Sequence, residues 1–240
     1  MTIVLRLPWL ARSALLFTLA ALAAIVAAPV DHTAGSMQVL TQAAAVALLA
    51  AALSPRPAPG TAGAVTTSLA WGTVAALSAA LLLILRLRSR TDPGTVAALA
   101  MGVGVLTLLA GSLQVGLGEL LGDRRLAARL VLLLVLVLGA TPLWLGPVAE
   151  LLARDQAAVD GVVALSPLSY LAALAEVDYL RSDWFYRHTS FGSLRYAYPS
   201  APAMTAAYLA LAAAALSLRR PLARRSQRAP ATAVPHPSTS

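Results

Sequence analysis

The sequence contains no cysteine and no lysine, and only 12% of its 240 residues are charged. Without cysteine, disulfide, thiolate and thiol-redox chemistry are excluded. A soluble domain of this size carries about a quarter charged residues, so this low content, with 59% hydrophobic residues, predicts a membrane protein. All 18 basic residues are arginine. The net charge is +8. We expect these arginines to set the orientation of the spans and to contact anionic lipid headgroups, and we expect no nucleic-acid partner.

Motifs of intramembrane enzymes are missing as well. The sequence has no G-x-S-x-G, no H-E-x-x-H, no paired-glutamate site and no glycine-rich nucleotide loop. The apolar runs carry no Asp, Glu, Arg or His in their interiors, whereas proton-coupled pathways usually depend on such groups. We therefore expect no enzyme activity, no cofactor and no metal site. His32 and His188 could meet acidic residues on one face, but solvated loop residues are the favoured interpretation.

Six apolar runs, each near the ~20 residues that cross a bilayer, predict an all-α polytopic membrane protein. They form a single transmembrane domain over residues 1–218, and a disordered basic tail over 219–240 follows it. The first run also fits a signal peptide, but a retained span is favoured because further spans follow. Pro142, Gly146 and Pro147 are expected to bend or end the fifth run. The predicted spans cover residues 13–30, 37–54, 65–85, 95–116, 130–149 and 201–218.

Arginine placement predicts that both termini are cytoplasmic. Six spans put eleven arginines inside and seven outside. A topology that replaces 37–54 with 157–175 gives the same count, but Asp160 and Pro167 make 157–175 the poorer span. We therefore predict a re-entrant or interfacial helical hairpin before the last span, inside an outer-face cap at residues 150–200. The Ala, Leu and Arg bias is typical of GC-rich bacteria, so the predicted location is a bacterial inner membrane.

The cap contains most of the aromatic residues of the chain, together with several charged ones. Residues 165–200 hold eight of the thirteen aromatic residues, mixed with paired charges. An interfacial aromatic belt and an outer gate or partner-docking surface are both open interpretations. The candidate gate or docking residues are Pro167, Tyr170, Asp178, Arg181, Asp183, Trp184, Tyr186 and Arg187.

Two further patterns lie in and after the fourth predicted span. Gly104, Gly111 and Gly118 recur every seven residues and predict a helix-packing seam within the bundle. A substrate path or a homodimer seam is the less favoured alternative. The charged cluster Asp123, Arg124 and Arg125 indicates either a topogenic signal or a cytoplasmic partner contact.

Residues 165–173, LSPLSYLAA, are similar to an Asn/Ser-Pro-Leu-x-Tyr-Leu element before the final span of ABC-2-type permeases. Asp123-Arg124-Arg125 resembles their charged cytoplasmic connections. The resemblance implies a permease subunit of an ABC-type exporter that works with a separate cytoplasmic ATPase, as a homodimer or heterodimer. This sequence departs from the family pattern at residues 55–63, the short connection between the second and third predicted spans. In that family the corresponding connection carries a coupling helix. The alternative function is a membrane scaffold or assembly subunit that docks an extracytoplasmic partner through residues 178–198.

Overall fold

The computed structural model describes residues 35–54, 61–87, 92–152, 154–189 and 194–217. All regular structure in these ranges is helical, which confirms the all-α class. The predicted first span and the predicted tail at 219–240 lie outside the described residues. The elements are α1 (Gly35–Ala52), α2 (Thr61–Leu87), α3 (Pro93–Leu121), α4 (Arg124–Gly139), α5 (Thr141–Trp144), α6 (Gly146–Leu151), α7 (Gln156–Ala164), α8 (Pro167–Ala175), a 3₁₀ turn (Tyr179–Arg181), α9 (Asp183–His188) and α10 (Ala201–Ser217).

Two of these helices are long and apolar enough to cross a membrane. They are the segment Ala62–Ile84 of α2, with 23 residues, and α3, with 29 residues. A third candidate arises if α7 and α8, which are bent by 90° relative to each other, count as one span. The apolar part of α1, Leu40–Ala52, and α10 are shorter. The described part of the chain thus has the helices of a membrane protein, with two to three candidate spans.

Helix α3 lies at the centre of the bundle and contacts α1, α2, α4, α8 and α10. Its sequence is apolar or small on every face, as expected of a helix surrounded by others. Asp92 caps its start by accepting a hydrogen bond from the backbone N–H of Thr95 at 3.1 Å, and Pro93 occupies the first turn. Gly122, with φ of 68°, ends it in the left-handed conformation.

The fifth predicted span is divided into three helices. Asp123 caps α4 by accepting from the backbone N–H groups of Arg125 (2.7 Å) and Leu126 (3.2 Å), so the helix begins six residues earlier than hydropathy indicates. It ends at Gly139, and the short helices α5 and α6 follow, each with a proline in its first turn. The break lies where Pro142 and Pro147 are expected to interrupt the helix, because proline has no N–H for the preceding turn.

Side chains from two neighbouring helices complete the end of α1. The indole Nε1 of Trp71 donates to the carbonyl of Ala50 at 2.8 Å, and Nε2 of Gln114 donates to the carbonyl of Ala51 at 2.9 Å. These carbonyls belong to the last turn of α1, where no intrahelical donor is available. The two bonds therefore fix the end of α1 against α2 and α3.

Candidate functional site

Helices α7 and α8 form a bent pair whose tip is attached to the end of α4. The two helices meet at 90° across Leu165 and Ser166. Pro167 occupies the first turn of α8, a position that needs no intrahelical N–H donor. The hydroxyl of Ser166 donates to the carbonyl of Gly139 at 3.2 Å. The tip thereby satisfies one of the carbonyls that α4 leaves unpaired at its end.

Both legs of this pair bond to the same extended segment, residues 195–198, just before α10. From α7, the Asp160 carboxylate accepts from the backbone N–H of Ala197 at 2.8 Å, and the Gln156 amide donates to the carbonyl of Arg195 at 3.1 Å. Immediately after α8, Asp178 accepts from phenols of the same segment. The α7 leg and the exit from α8 are therefore held close together.

Asp178 is the centre of a hydrogen-bonded cluster. Its Oδ1 accepts from Tyr196 Oη at 2.7 Å and from Tyr198 Oη at 2.9 Å. Its Oδ2 lies 3.4 Å from Arg181 Nε, and the Arg181 guanidinium lies 5.7 Å from the centre of the Tyr196 ring. We call these four residues the Asp178 cluster. It joins the end of the hairpin to the segment that leads into α10.

The two phenols of the cluster are in their donating form at neutral pH, because a tyrosine ordinarily loses its proton only near pH 10. Burial is the main cause of the raised pKa of Tyr196 and Tyr198, and the hydrogen bond to the Asp178 carboxylate raises the pKa of each further. An ionised phenol would lose its donor and face a negative charge. Both tyrosines therefore remain donors to Asp178 throughout the physiological pH range.

Aromatic rings fill the space beneath the cluster. Tyr179 is buried and makes an edge contact with Phe185 at 5.1 Å between ring centres. Its ring centre lies 6.1 Å from that of Tyr198, and its hydroxyl lies 3.0 Å from Ser169 Oγ on α8. Burial also raises the pKa of Tyr179. The 3₁₀ turn is thus packed onto the hairpin.

Tyr170 connects the hairpin to α10. Its side chain is fully buried, and its hydroxyl lies 2.8 Å from Thr205 Oγ1. Since the Thr205 hydroxyl donates to the carbonyl of Ala201, Tyr170 is the donor in this bond. The Tyr170 ring also meets Tyr208 edge-on at 5.2 Å. Gly102 of α3 lies beneath, where an added Cβ would be 3.1 Å from a methyl group of Leu171.

The structure separates the eight predicted cap residues into two groups. The first group holds two residues of α8, Pro167 and Tyr170, and two residues of the Asp178 cluster, Asp178 and Arg181. Helix α9 carries the others: Asp183, Tyr186 and Arg187, whose side chains are exposed, and Trp184.

The sequence interpretation missed Tyr196, Tyr198 and Asp160. A usable signal was present for the tyrosines, because residues two apart in an extended chain point to the same side. The spacing Tyr-Ala-Tyr therefore lets both phenols reach one acceptor.

The glycine seam faces two neighbours within this chain. A Cβ on Gly104 would lie 3.1 Å from the carbonyl of Gly72, and one on Gly111 would lie 3.5 Å from Ser68 Oγ, both in α2. A Cβ on Gly118 would lie 3.2 Å from Arg124 at the start of α4. The three glycines thus lie against α2 and α4 of the same chain.

The charged cluster after α3 has one capping residue and two arginines. Hydrogen bonds from the backbone N–H groups of Leu126 and Arg125 lower the pKa of Asp123, so its carboxylate serves to begin α4. Arg124 and Arg125 are exposed and border a cavity between the helix ends. A partner contact by these residues stays a prediction.

Known proteins provide no identification. Comparison of the chain with family models, curated proteins and solved structures gave no match. Over the described ranges, no group of three or more His, Asp or Glu side chains is placed to hold a metal ion. The features of the described chain that bear on function are the bent pair α7–α8, the Asp178 cluster and the cavity beside Arg124 and Arg125.

An Asp178→Asn variant is expected to loosen the cap. The neutral amide is a weaker acceptor for Tyr196 and Tyr198, and a hydrogen bond to a charged group contributes about 1.5–3 kcal/mol. Because the Asp178 side chain is partly exposed, we expect a loss of about 1 kcal/mol, measured as a fall of about 2–4 °C in the melting temperature in detergent.

Asp183→Asn, on exposed α9, is the matched control and should change the melting temperature by less than half as much. Adding Tyr198→Phe to Asp178→Asn should have a smaller effect than Tyr198→Phe alone, since the two residues share one bond. Additive effects would show that the Asp178 cluster does not act as a unit.

Proposed function

We propose that this chain is the membrane permease subunit of an ABC-type exporter, with six spans and a separate cytoplasmic ATPase. The main support is the bent pair α7–α8 with its Pro167 tip. It occupies the place before the last helix where the resemblance implies a broken helical pair, and Pro167 belongs to the similar segment 165–173.

The hydrogen bonds of the pair support a re-entrant hairpin over a single broken span. Asp160 in α7 and Asp178 after α8 both bond to residues 196–198. If the pair crossed the bilayer, its two ends would lie about 30 Å apart. Non-helical backbone at membrane depth needs protein or water partners, and at the tip the Ser166 hydroxyl is such a partner for the carbonyl of Gly139.

The proposed outer and inner faces correspond to opposite ends of α3. Gly102, near the start of α3, contacts Leu171 and Leu174 of the hairpin, whereas Gly118, near its end, contacts Arg124. The cap and the arginine cluster are therefore separated along the helix axis. This agrees with a cap outside the cell and an ATPase contact on the cytoplasmic side.

The exposed surface of α9 favours a second candidate, the scaffold that docks an extracytoplasmic partner. Tyr186 is 64% exposed, and Asp183 and Arg187 beside it are exposed too. Aromatic and arginine side chains are the usual anchors of protein interfaces. This surface could serve a permease as well, so the cytoplasmic partner decides between the two functions.

Capture of partners from mild detergent tests the proposal. The full chain, carrying an affinity tag and expressed in its native host, is expected to retain a soluble protein with a glycine-rich nucleotide loop. Mass spectrometry identifies the retained proteins, and an unrelated tagged membrane protein is the control. Recovery of extracytoplasmic partners alone, lost in Tyr186→Ala/Arg187→Ala, would support the scaffold instead. Recovery of neither class would contradict both functions.

A further inference from the structure

A cavity with seven polar side chains in its lining lies between four helices at the end of the bundle opposite the cap. Its volume is about 160 Å³, and it is bordered by the end of α1, the start of α2, the end of α3 and the start of α4. A water molecule needs about 10–15 Å³ of such space, so the cavity has room for a group the size of a phosphate. The polar side chains that line it are Ser54, Thr67, Ser68, Gln114, Glu119, Arg124 and Arg125.

The inner wall of the cavity is made of small polar groups. Ser54 and Ser68 contribute hydroxyls, and the hydrogen bond to Ala51 fixes the amide of Gln114. The Thr67 hydroxyl donates to the carbonyl of Gly63 at 2.7 Å, so only its oxygen can face a ligand, as an acceptor. Hydroxyls and amides at fixed positions are the neutral donors that commonly accompany arginine around phosphate oxygens.

Two arginines border the same cavity. Arg124 and Arg125 lie in the first turn of α4, and Nη2 of Arg124 is 4.0 Å from a carboxylate oxygen of Glu119. The Arg124 side chain is 54% exposed, so this ion pair is weak and leaves the guanidinium able to turn toward a stronger acceptor. With two arginines and one glutamate, the lining has a formal charge of +1 and suits an anion.

We propose that this cavity binds a phosphate group, held by Arg124 and Arg125 from outside and by the hydroxyls of Ser54 and Ser68 from within. The group belongs either to a membrane phospholipid or to free phosphate. The site does not depend on the ATPase of the proposed exporter.

Native mass spectrometry of the purified full chain in a neutral detergent tests the site. Phosphatidylglycerol is expected to stay bound, and a diacylglycerol with the same acyl chains, which lacks the phosphate, is expected not to. Arg124→Gln/Arg125→Gln should weaken phosphatidylglycerol binding about tenfold, the loss of roughly one charge-assisted hydrogen bond. Ser68→Ala, which removes a hydroxyl from the lining and leaves both arginines in place, should weaken it as well.

Arg154→Gln/Arg195→Gln removes two exposed arginines from the cap and is the charge-matched control. It should bind phosphatidylglycerol like the wild type. Equal binding of diacylglycerol, unchanged binding in the Arg124/Arg125 variant or an equal loss in the control would each overturn the proposal. The proposal would also be overturned if the Arg124→Gln/Arg125→Gln variant no longer captured an ATPase but still bound phosphatidylglycerol.

Inorganic phosphate at millimolar concentration distinguishes the two sources. If it binds to the wild-type chain and displaces phosphatidylglycerol, the site takes free phosphate. If the lipid stays bound, the site is specific for a phospholipid headgroup. Both results support a phosphate site, and they remain interpretable if no ATPase is ever recovered.

Discussion

A Gly104→Val variant is expected to disrupt the packing of α2 on α3. Even a single Cβ at this position would lie 3.1 Å from the carbonyl oxygen of Gly72 and 3.1 Å from Cβ of Ala76. The first of these atoms is backbone, so the clash cannot be relieved by rotating a side chain. Overpacking in a tight core costs about 1–3 kcal/mol, and we expect the upper end of that range here. The melting temperature in detergent should fall by about 6 °C or more.

Gly161→Val is the matched control, because a Cβ at Gly161 on α7 would meet no atom within 4 Å. That variant should melt close to the wild type. Gly72→Val should resemble Gly104→Val, since a Cβ on Gly72 would lie 3.0 Å from the carbonyl of Gly104. Combining the two valines should add less than their sum, because the first already separates the helices. A Gly104→Val protein as stable as the control would show that α2 and α3 do not cross this closely.

The two glycines of this crossing show how far the sequence could predict the packing. The seven-residue recurrence of Gly104, Gly111 and Gly118 predicts a small face on one helix, because periodicity is a local property. Gly72 belongs to no recurring pattern, and its role comes from the neighbour it meets. The same holds for Trp71 and Gln114, whose partners are carbonyls 21 and 63 residues away.

The cap shows a similar division between local and distant signals. Composition alone indicated that residues 165–200 are special, and Asp178 and Arg181 do form a cluster there. The acceptor role of Asp178 involves phenols 18 and 20 residues further on, and Asp160 bonds to a backbone N–H 37 residues away. Such pairings depend on where the hairpin returns, which hydropathy does not specify.

Helix boundaries followed local chemistry more closely than hydropathy. The fifth apolar run begins at residue 130, but the helix begins at Arg124 because Asp123 offers a capping carboxylate to the N–H groups of its first turn. The prolines at 142 and 147 interrupt the same run for the reason expected, the missing N–H. Capping and breaking residues therefore explain these helix limits better than the length of the apolar run does.

A Tyr170→Ala variant is expected to detach the hairpin from α10. Tyr170 is fully buried, donates to Thr205 and packs edge-on against Tyr208, so truncation removes a large buried ring and leaves a cavity. Removing a buried aromatic side chain costs about 3–5 kcal/mol, and we expect a loss of about 3 kcal/mol. The measurement is the melting temperature in detergent together with the rate of protease cleavage between α8 and α10.

Two further variants show which part of Tyr170 matters. One distinguishes the contribution of the ring from that of the hydroxyl, and the other controls for the general effect of removing a tyrosine. Tyr170→Phe keeps the ring and loses only the bond to Thr205, so it should cost about 1 kcal/mol. Tyr186→Ala removes a tyrosine that is 64% exposed and should cost less than about 0.5 kcal/mol. The expected order of melting temperatures is therefore Tyr186→Ala, Tyr170→Phe and then Tyr170→Ala, which is lowest. The contrary result would be a Tyr170→Ala variant with the same melting temperature and the same protease cleavage rate as Tyr186→Ala. It would show that the hairpin is not held in place by its contacts with α10.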